Sequence, residues 1–147
     1  MSAQSTHDGV SADTQRQQAE LSVLAIVPAY NESGTIEEVV SETRAYVDKV
    51  VVIDDASTDD TAEKAREVAD GVVSLPKNMG VGGAVHTGYL VGTRERFDVV
   101  VQIDGDGQHD PADIPRLLAK IADEDADMVI GSRFLNDSYK EYSVVRR

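Results

Sequence analysis

Cysteine is missing altogether from the 147 residues. Disulfides, thiolate nucleophiles and Cys-based zinc sites are thereby excluded. Basic residues are scarce: 14 Lys and Arg stand against 27 Asp and Glu, a formal net charge of −13. A general nucleic-acid-binding surface needs a basic footprint, so nucleic acid is not an expected partner. Long apolar runs are lacking too, none approaching the roughly 20 residues that span a bilayer. Residues 1–20 are polar and hold no apolar signal-peptide core. They are expected to form a flexible tail, and the chain is expected to be cytoplasmic. Low-complexity segments and internal repeats are absent as well.

The acids scatter through predicted helices and loops rather than gathering in a tail. Such a solvated acidic surface suits high salt, where screening shortens the range of self-repulsion. A halophilic source is the expectation. Unfolding followed against KCl tests it, and equal stability at low and molar salt counts against it.

The stretch Val99–Val100–Val101–Gln102–Ile103–Asp104–Gly105–Asp106–Gly107–Gln108 organises the rest. A β-branched run reads as a buried strand, and it stops at two aspartates on a Gly-rich turn. Carboxylates at the carboxyl end of such a strand sit where open α/β sheets bind ligands. Hard cations such as Mg²⁺ or Mn²⁺ take oxygen ligands of this kind, often shared with substrate phosphates. The competing reading is a surface turn rich in Asp and Gly.

Around it, strands alternate with helices. Leu21–Val27 is a nearly continuous apolar run, as expected of a strand buried on both faces. Ile36, Val39, Val40, Thr43 and Val47 recur at helical spacing. Lys49–Ile53 is a second strand, and Ser57–Asp60 is expected to cap a helix with Ala62, Ala65 and Ala69 on its packed face. Val72–Leu75 is a short third strand. The Gly-rich loop Pro76–Gly83 leads to a helix predicted over 84–94. After the organising strand, Pro111 opens a helix that buries Ile114, Leu117, Leu118 and Ile121. Asp127–Gly131 is a fifth strand, and from Leu135 the periodicity fades. This order predicts an α/β domain with a mostly parallel sheet and helices on both faces.

A parallel sheet gathers the loops after its strands on one edge. Those loops carry Tyr30 and Glu32, Asp54 and Asp55, Lys77 and Asn78, Asp104 and Asp106, and Arg133. Three common nucleotide or cation motifs fail on spacing. No G-x-G-x-x-G follows the first strand, and no G-x-x-x-x-G-K-[ST] occurs. An EF-hand starting at Asp104 would need Gly at His109 and Glu at Pro115.

Val27–Glu32, Ile53–Asp59, Asn78–Gly80 with Gly82–Ala84, Asp104–Gly105–Asp106 and Gly131–Phe134 together resemble family 2 glycosyltransferases, inverting enzymes with the GT-A nucleotide-sugar-binding fold. Within that family the chain is most similar to dolichyl-phosphate mannose and glucose synthases. The resemblance implies that residues 21–134 form the donor-binding domain and that residues 135–147 begin a truncated acceptor segment. It implies that Pro28, Ala29, Tyr30 and Glu32 line the nucleoside, and that Ile53 and Asp55 contact base and ribose. Asp104, Gly105, Asp106 and Gln108 correspond to the family's D-x-D segment, which grips the diphosphate through Mg²⁺ or Mn²⁺. Asp104 and Asp106 are thus the implied metal ligands and catalytic pair. Gly105 stands where many relatives carry Ala, a mild exchange. Arg133 corresponds to a residue that steadies phosphate. Asn78 and Gly83 are expected either to let backbone approach the sugar nucleotide or simply to turn the chain.

Other polar residues have plainer expected roles. Asp54 is expected to face solvent or cap the next helix, Lys77 to lie on the surface, His86 to be structural, and His109 to be a solvated turn residue. The implied reaction is a single in-line displacement at the anomeric carbon of a GDP- or UDP-sugar. An acceptor hydroxyl would need a general base, whereas a lipid phosphate is already anionic. The arginines at the chain's end match the start of the acceptor segment in lipid-phosphate synthases, which implies association with a membrane surface through a further segment. Two other readings stay open: a non-catalytic nucleotide-sugar-binding module, and a nucleotidyltransferase. The latter normally carries a Gly-rich basic loop after the first strand, and Tyr30–Asn31–Glu32 does not resemble one.

Overall fold

The structure is a computed structural model and describes residues 11–13, 20–124, 126–131 and 142–146. Its elements follow in the order β1 (Val23–Ala29), α1 (Ile36–Thr43), β2 (Lys49–Asp54), α2 (Thr61–Val68), β3 (Gly71–Ser74), α3 (Gly80–Arg94), β4 (Val99–Gln102), a 3₁₀ turn (Pro111–Asp113), α4 (Ile114–Asp123), β5 (Met128–Gly131) and β6 (Tyr142–Arg146). The six strands form one sheet in the order β3-β2-β1-β4-β6-β5. The pairs β1–β2, β2–β3 and β1–β4 are parallel, while β6 runs antiparallel to both β4 and β5.

Side chains of successive strand residues fall on opposite faces, and the core divides accordingly. Val23, Ala25 and Val27 of β1 join Val50 and Val52 of β2 and Val99 and Val101 of β4 on one face. Ile36, Val39 and Val40 of α1, Ala65 of α2 and Ile114, Leu117, Leu118 and Ile121 of α4 close that layer. Each of the large side chains contributes about 1.5–3 kcal/mol on leaving water. Leu24, Ile26, Val51, Ile53 and Val100 point to the other face, where Ala84, Val85, Tyr89 and Val91 of α3 cover them. The expected α/β class, with helices on both faces of a mostly parallel sheet, is the observed architecture.

Two elements differ from expectation. Helix α3 starts at Gly80 rather than at Ala84, so the Gly-rich segment supplies its first turn. Two oxygen acceptors account for this early start. Asp55 Oδ1 accepts from Met79 N–H at 2.6 Å, and Asn78 Oδ1 accepts from Gly80 N–H at 3.0 Å. Both amides lie at the helix start, where no intrahelical acceptor exists. The second difference is β6, which slots between β4 and β5 although its sequence shows no strand periodicity.

From β1 the chain steps outward to β2 and β3, then returns to place β4 on the other flank of β1. The strand order therefore reverses between β1 and β4, and open α/β sheets bind ligands outside the carboxyl ends of strands at such a point.

Candidate active site

The last carbonyls of β1 organise both neighbouring loops. Ala29 C=O accepts from Asp55 N–H at 2.9 Å, and Pro28 C=O accepts from Gly105 N–H at 3.2 Å. The turn after β2 and the turn after β4 are thus pinned to the same strand end. A cleft opens above them, lined by Pro28, Ala29, Tyr30, Glu32, Asp55, Val81, Ala84, Asp104, Gly105 and Asp106.

The loop after β1 is held by the loop after β2. Asn31 N–H donates to Ser57 Oγ at 2.9 Å, and Asn31 Oδ1 accepts from Thr58 N–H at 2.8 Å. Glu32 N–H donates to Thr61 Oγ1 at 2.9 Å, and Lys64 Nζ donates to Ser33 C=O at 3.0 Å. Asn31 takes φ 52, a left-handed conformation that asparagine tolerates better than most residues. Together these bonds fix the backbone beneath Tyr30, a residue that remains 45% exposed where it lines the cleft. Asp60 holds the N-cap position of α2 without a side-chain cap, and Asp59, one residue earlier, accepts at Oδ1 from Thr61 N–H at 2.9 Å and also from the Thr61 hydroxyl. Those bonds hold the Asp59 carboxyl below its ordinary value.

The two aspartates of the organising turn both reach the cleft. Asp104 Oδ1 accepts from Gln102 Nε2 at 3.2 Å, and Asp106 Oδ1 accepts from Gln108 N–H at 3.0 Å. Thr35 donates its hydroxyl to the intervening Gly105 carbonyl at 2.6 Å. Glu32 senses the pair: burial first, then the charges of Asp106, Asp104 and Asp59, raise its carboxyl above the ordinary value. Clustered hard oxygen donors of this kind suit a divalent cation. Among the described residues, no three Asp, Glu or His side chains converge to enclose a metal. An ion such as Mg²⁺ usually takes one or two carboxylates and completes its shell with phosphates and water.

Most of the residues singled out in the sequence meet here: Pro28, Ala29, Tyr30, Glu32, Asp55, Asp104, Gly105 and Asp106. Ile53 does not. It is fully buried beneath α3, packed in the same layer as Leu24 and Ile26, so its side chain has no surface for a base. Asn78 Oδ1 is engaged by the Gly80 amide, and Gln108 is exposed. Gly83 lies in the first turn of α3, where a Cβ would come within 2.6 Å of Met79 Cβ, so local packing already requires glycine. Arg133 lies outside the described residues, as does most of the stretch 1–20.

Three expectations need correction. Asp54 does not face solvent; it is 4% exposed and its Oδ1 accepts from Ser57 N–H at 3.2 Å, closing the turn after β2. His109 is not solvated; it is 5% exposed and bonded to Asp104. Gly105 is not a neutral stand-in for alanine, because a Cβ there would meet Ala29 Cβ at 3.1 Å and Pro28 C=O at 3.2 Å. Sequence reasoning also missed Thr35, Val81 and Ala84. Ala84, Gly88 and Gly92 recur every fourth residue, and that small-residue stripe was the one available signal that α3 lies close over the sheet.

An α/β sheet with a paired-aspartate turn at its switch point is the architecture of a GT-A glycosyltransferase. Residues 24–143 match the profile described as Glycosyl transferase family 2, and the chain belongs to that family. It is 37% identical over 118 residues to an undecaprenyl-phosphate mannosyltransferase of Micrococcus luteus, covering 76% of this chain and 48% of that protein. It is 30% identical over 132 residues to a UDP-N-acetylglucosamine–dolichyl-phosphate N-acetylglucosaminyltransferase of Methanococcus voltae, covering 78% and 53%. The chain thus spans about half the length of the curated relatives it matches. Among solved structures, glucosyl-3-phosphoglycerate synthase of Mycobacterium tuberculosis in complex with Mn²⁺, UDP-glucose and phosphoglyceric acid superposes with a TM-score of 0.65 at 25% identity, covering 86% of this chain and 48% of that one. The same synthase in complex with Mg²⁺ and UDP gives a TM-score of 0.69 at 20% identity, covering 99% and 62%. Among the described residues, no helix is long and apolar enough to cross a membrane.

Proposed function

We propose that this chain is the donor-binding part of an inverting glycosyltransferase that moves a sugar from a nucleoside-diphosphate sugar to a polyprenyl phosphate. The observation that carries this reading is the convergence of Asp104 and Asp106 with Tyr30 and Asp55 in one cleft at the sheet's switch point. Tyr30 offers a ring face to the base, Asp55 a carboxylate to base or ribose, and Pro28 and Ala29 a floor beneath them. Asp104 and Asp106 would hold Mg²⁺ or Mn²⁺, which supplies Lewis-acid stabilisation of charge on the departing diphosphate. Val81 and Ala84 line the cleft where α3 begins, and keep that flank apolar.

No general base is required if the acceptor is a phosphate, because its oxygen is already anionic. The named relatives of Micrococcus luteus and Methanococcus voltae support this acceptor class. A working site at the cytoplasmic face of a membrane follows from a lipid-linked acceptor. In this reading the domain spans residues 21–134, and the segment from 135 opens the acceptor region.

Isothermal titration with UDP and GDP, with and without Mn²⁺, tests the site. Tighter binding of one diphosphate in the presence of Mn²⁺, lost in Asp106→Ala, is the expected result. Unchanged binding by Asp106→Ala removes Asp106 from the site. Transfer of labelled sugar to a polyprenyl phosphate tests the acceptor, and hydrolysis or transfer to sugar hydroxyls alone overturns it.

A further inference from the structure

His109 lies at the far end of the acidic turn, and its surroundings differ from those of its neighbours. Gly107, Gln108 and Asp110 are exposed, whereas the His109 side chain is 1% exposed. Its Nδ1 accepts from the backbone N–H of Asp104 at 3.1 Å, and its Nε2 stands 3.7 Å from Asp104 Oδ2. A neutral ring that accepts at Nδ1 carries its proton on Nε2.

The reason for this bond lies in the sheet. Amides along β4 and its extension alternate in direction. Ile103 N–H donates to Ile26 C=O and Gly105 N–H to Pro28 C=O, both on β1. The Asp104 amide between them points the other way, toward the β6 flank. Among the described residues, the pairs with β6 run from Val99 to Gln102, which lies opposite Ser143. At Asp104, two residues beyond Gln102, the acceptor is the His109 imidazole. A partly buried amide left without an acceptor would be unfavourable, so this bond holds the turn in one conformation.

We infer that His109 is a positioning residue: by accepting from the Asp104 amide it closes the turn from 104 to 109 and holds the Asp104 and Asp106 carboxylates toward the cleft for cation-dependent binding of a nucleoside diphosphate. This rests on the reading of that cleft as a donor site. Asp106 sits in the middle of the loop that the His109 bond closes, and its own tether to Gln108 N–H is internal to that loop. The Gly105 carbonyl is anchored by Thr35 and the Gly105 amide by Pro28. The His109 bond ties the return limb of the turn to Asp104 itself.

The test compares His109→Asn, His109→Gln and His109→Leu in the whole chain. Asparagine places its Oδ1 near the position of Nδ1 and can accept from Asp104, whereas glutamine carries its amide farther out and leucine has no acceptor. UDP and GDP are titrated into each protein with and without Mn²⁺, and thermal unfolding is followed in parallel. The expected result is that Asn keeps the Mn²⁺-dependent gain in affinity within about threefold of the parent, while Gln and Leu lose roughly tenfold, the size of one net hydrogen bond to a placed group. Metal-free affinity should be equal in all four. If Gln and Leu keep the full gain, or if Asn falls with them, the positioning role is overturned. Should melting temperature drop in step with both metal-free and metal-dependent binding, His109 is only a packing residue and the inference fails. An absence of Mn²⁺-dependent binding in the parent chain overturns the donor-site reading and, with it, this one.

Discussion

Thr35 and Gly105 are joined across 70 positions of sequence by a hydroxyl-to-carbonyl hydrogen bond of 2.6 Å. Thr35 occupies the N-cap position of α1, yet its side chain does not cap that helix. The hydroxyl is committed to the acidic turn instead. Thr35→Val keeps the shape and removes the donor, leaving a buried carbonyl short of a partner, at a loss of about 1–2 kcal/mol. Urea unfolding measures this, and titration of UDP with Mn²⁺ should show weaker binding in the same variant. Unchanged stability would show that the carbonyl is satisfied without Thr35.

Glycines along α3 should respond to alanine in opposite ways. A Cβ at Gly88 would lie 2.5 Å from Ile26 Cδ1 and 2.9 Å from Ile26 Cβ, on the central strand. Helix α3 has no room to rise without losing its packing on Leu24 and Val100, so Gly88→Ala should destabilise by roughly 1–3 kcal/mol. Gly82, in the first turn, meets nothing within 4 Å. Gly82→Ala should stabilise by about 0.5 kcal/mol through backbone entropy and helix propensity. Chemical unfolding of the two variants side by side separates packing from propensity.

Strands β1, β2 and β4 at the heart of the sheet are legible in the sequence because each is buried on both faces, or nearly so, and reads as an apolar run, while β3 is a half-buried edge strand. The carboxylates at their ends are legible for a topological reason: a parallel sheet gathers every strand-to-helix loop on one edge. What stays hidden depends on partners distant in sequence. Strand β6 is set by pairing with Val99–Gln102, and Tyr142–Arg146 carries too little periodicity to announce it. His109 looks like one more polar turn residue until the structure shows the Asp104 amide donating to it. The Ile53 side chain is kept from the cleft for a reason periodicity does contain, since alternation from Val52 places it beneath α3.

Glu32 gives the site a pH signature. Burial, then Asp106, Asp104 and Asp59, raise its carboxyl from an ordinary value of 4.5. A raised folded-state value means the ionised form is disfavoured more in the folded than in the unfolded chain. The associated stability is fully present below 4.5 and is lost as pH rises through the folded-state value. Glu32→Gln should therefore raise the melting temperature at neutral pH by a small margin, and the gain should vanish as pH falls below the ordinary value. A gain that persists at low pH would trace to something other than charge.

Gly105 and Ala29 limit one another across the strand end. A Cβ at position 105 would sit 3.1 Å from Ala29 Cβ and 3.2 Å from the Pro28 carbonyl, the acceptor for the Gly105 amide itself. The side-chain contact can be relieved by removing the Ala29 methyl, but the carbonyl contact cannot. Gly105→Ala alone should destabilise by about 1–2 kcal/mol, as overpacking of a buried site does. Ala29→Gly alone should also destabilise, through backbone entropy and lost packing in β1. In the double variant the two losses should sum to less than their separate values, a coupling of roughly 0.5–1 kcal/mol. Urea unfolding of the four proteins completes the cycle. A coupling near zero would mean that the Pro28 carbonyl alone sets the limit, and the residual loss in the double variant measures how far the acidic turn has been pushed from β1.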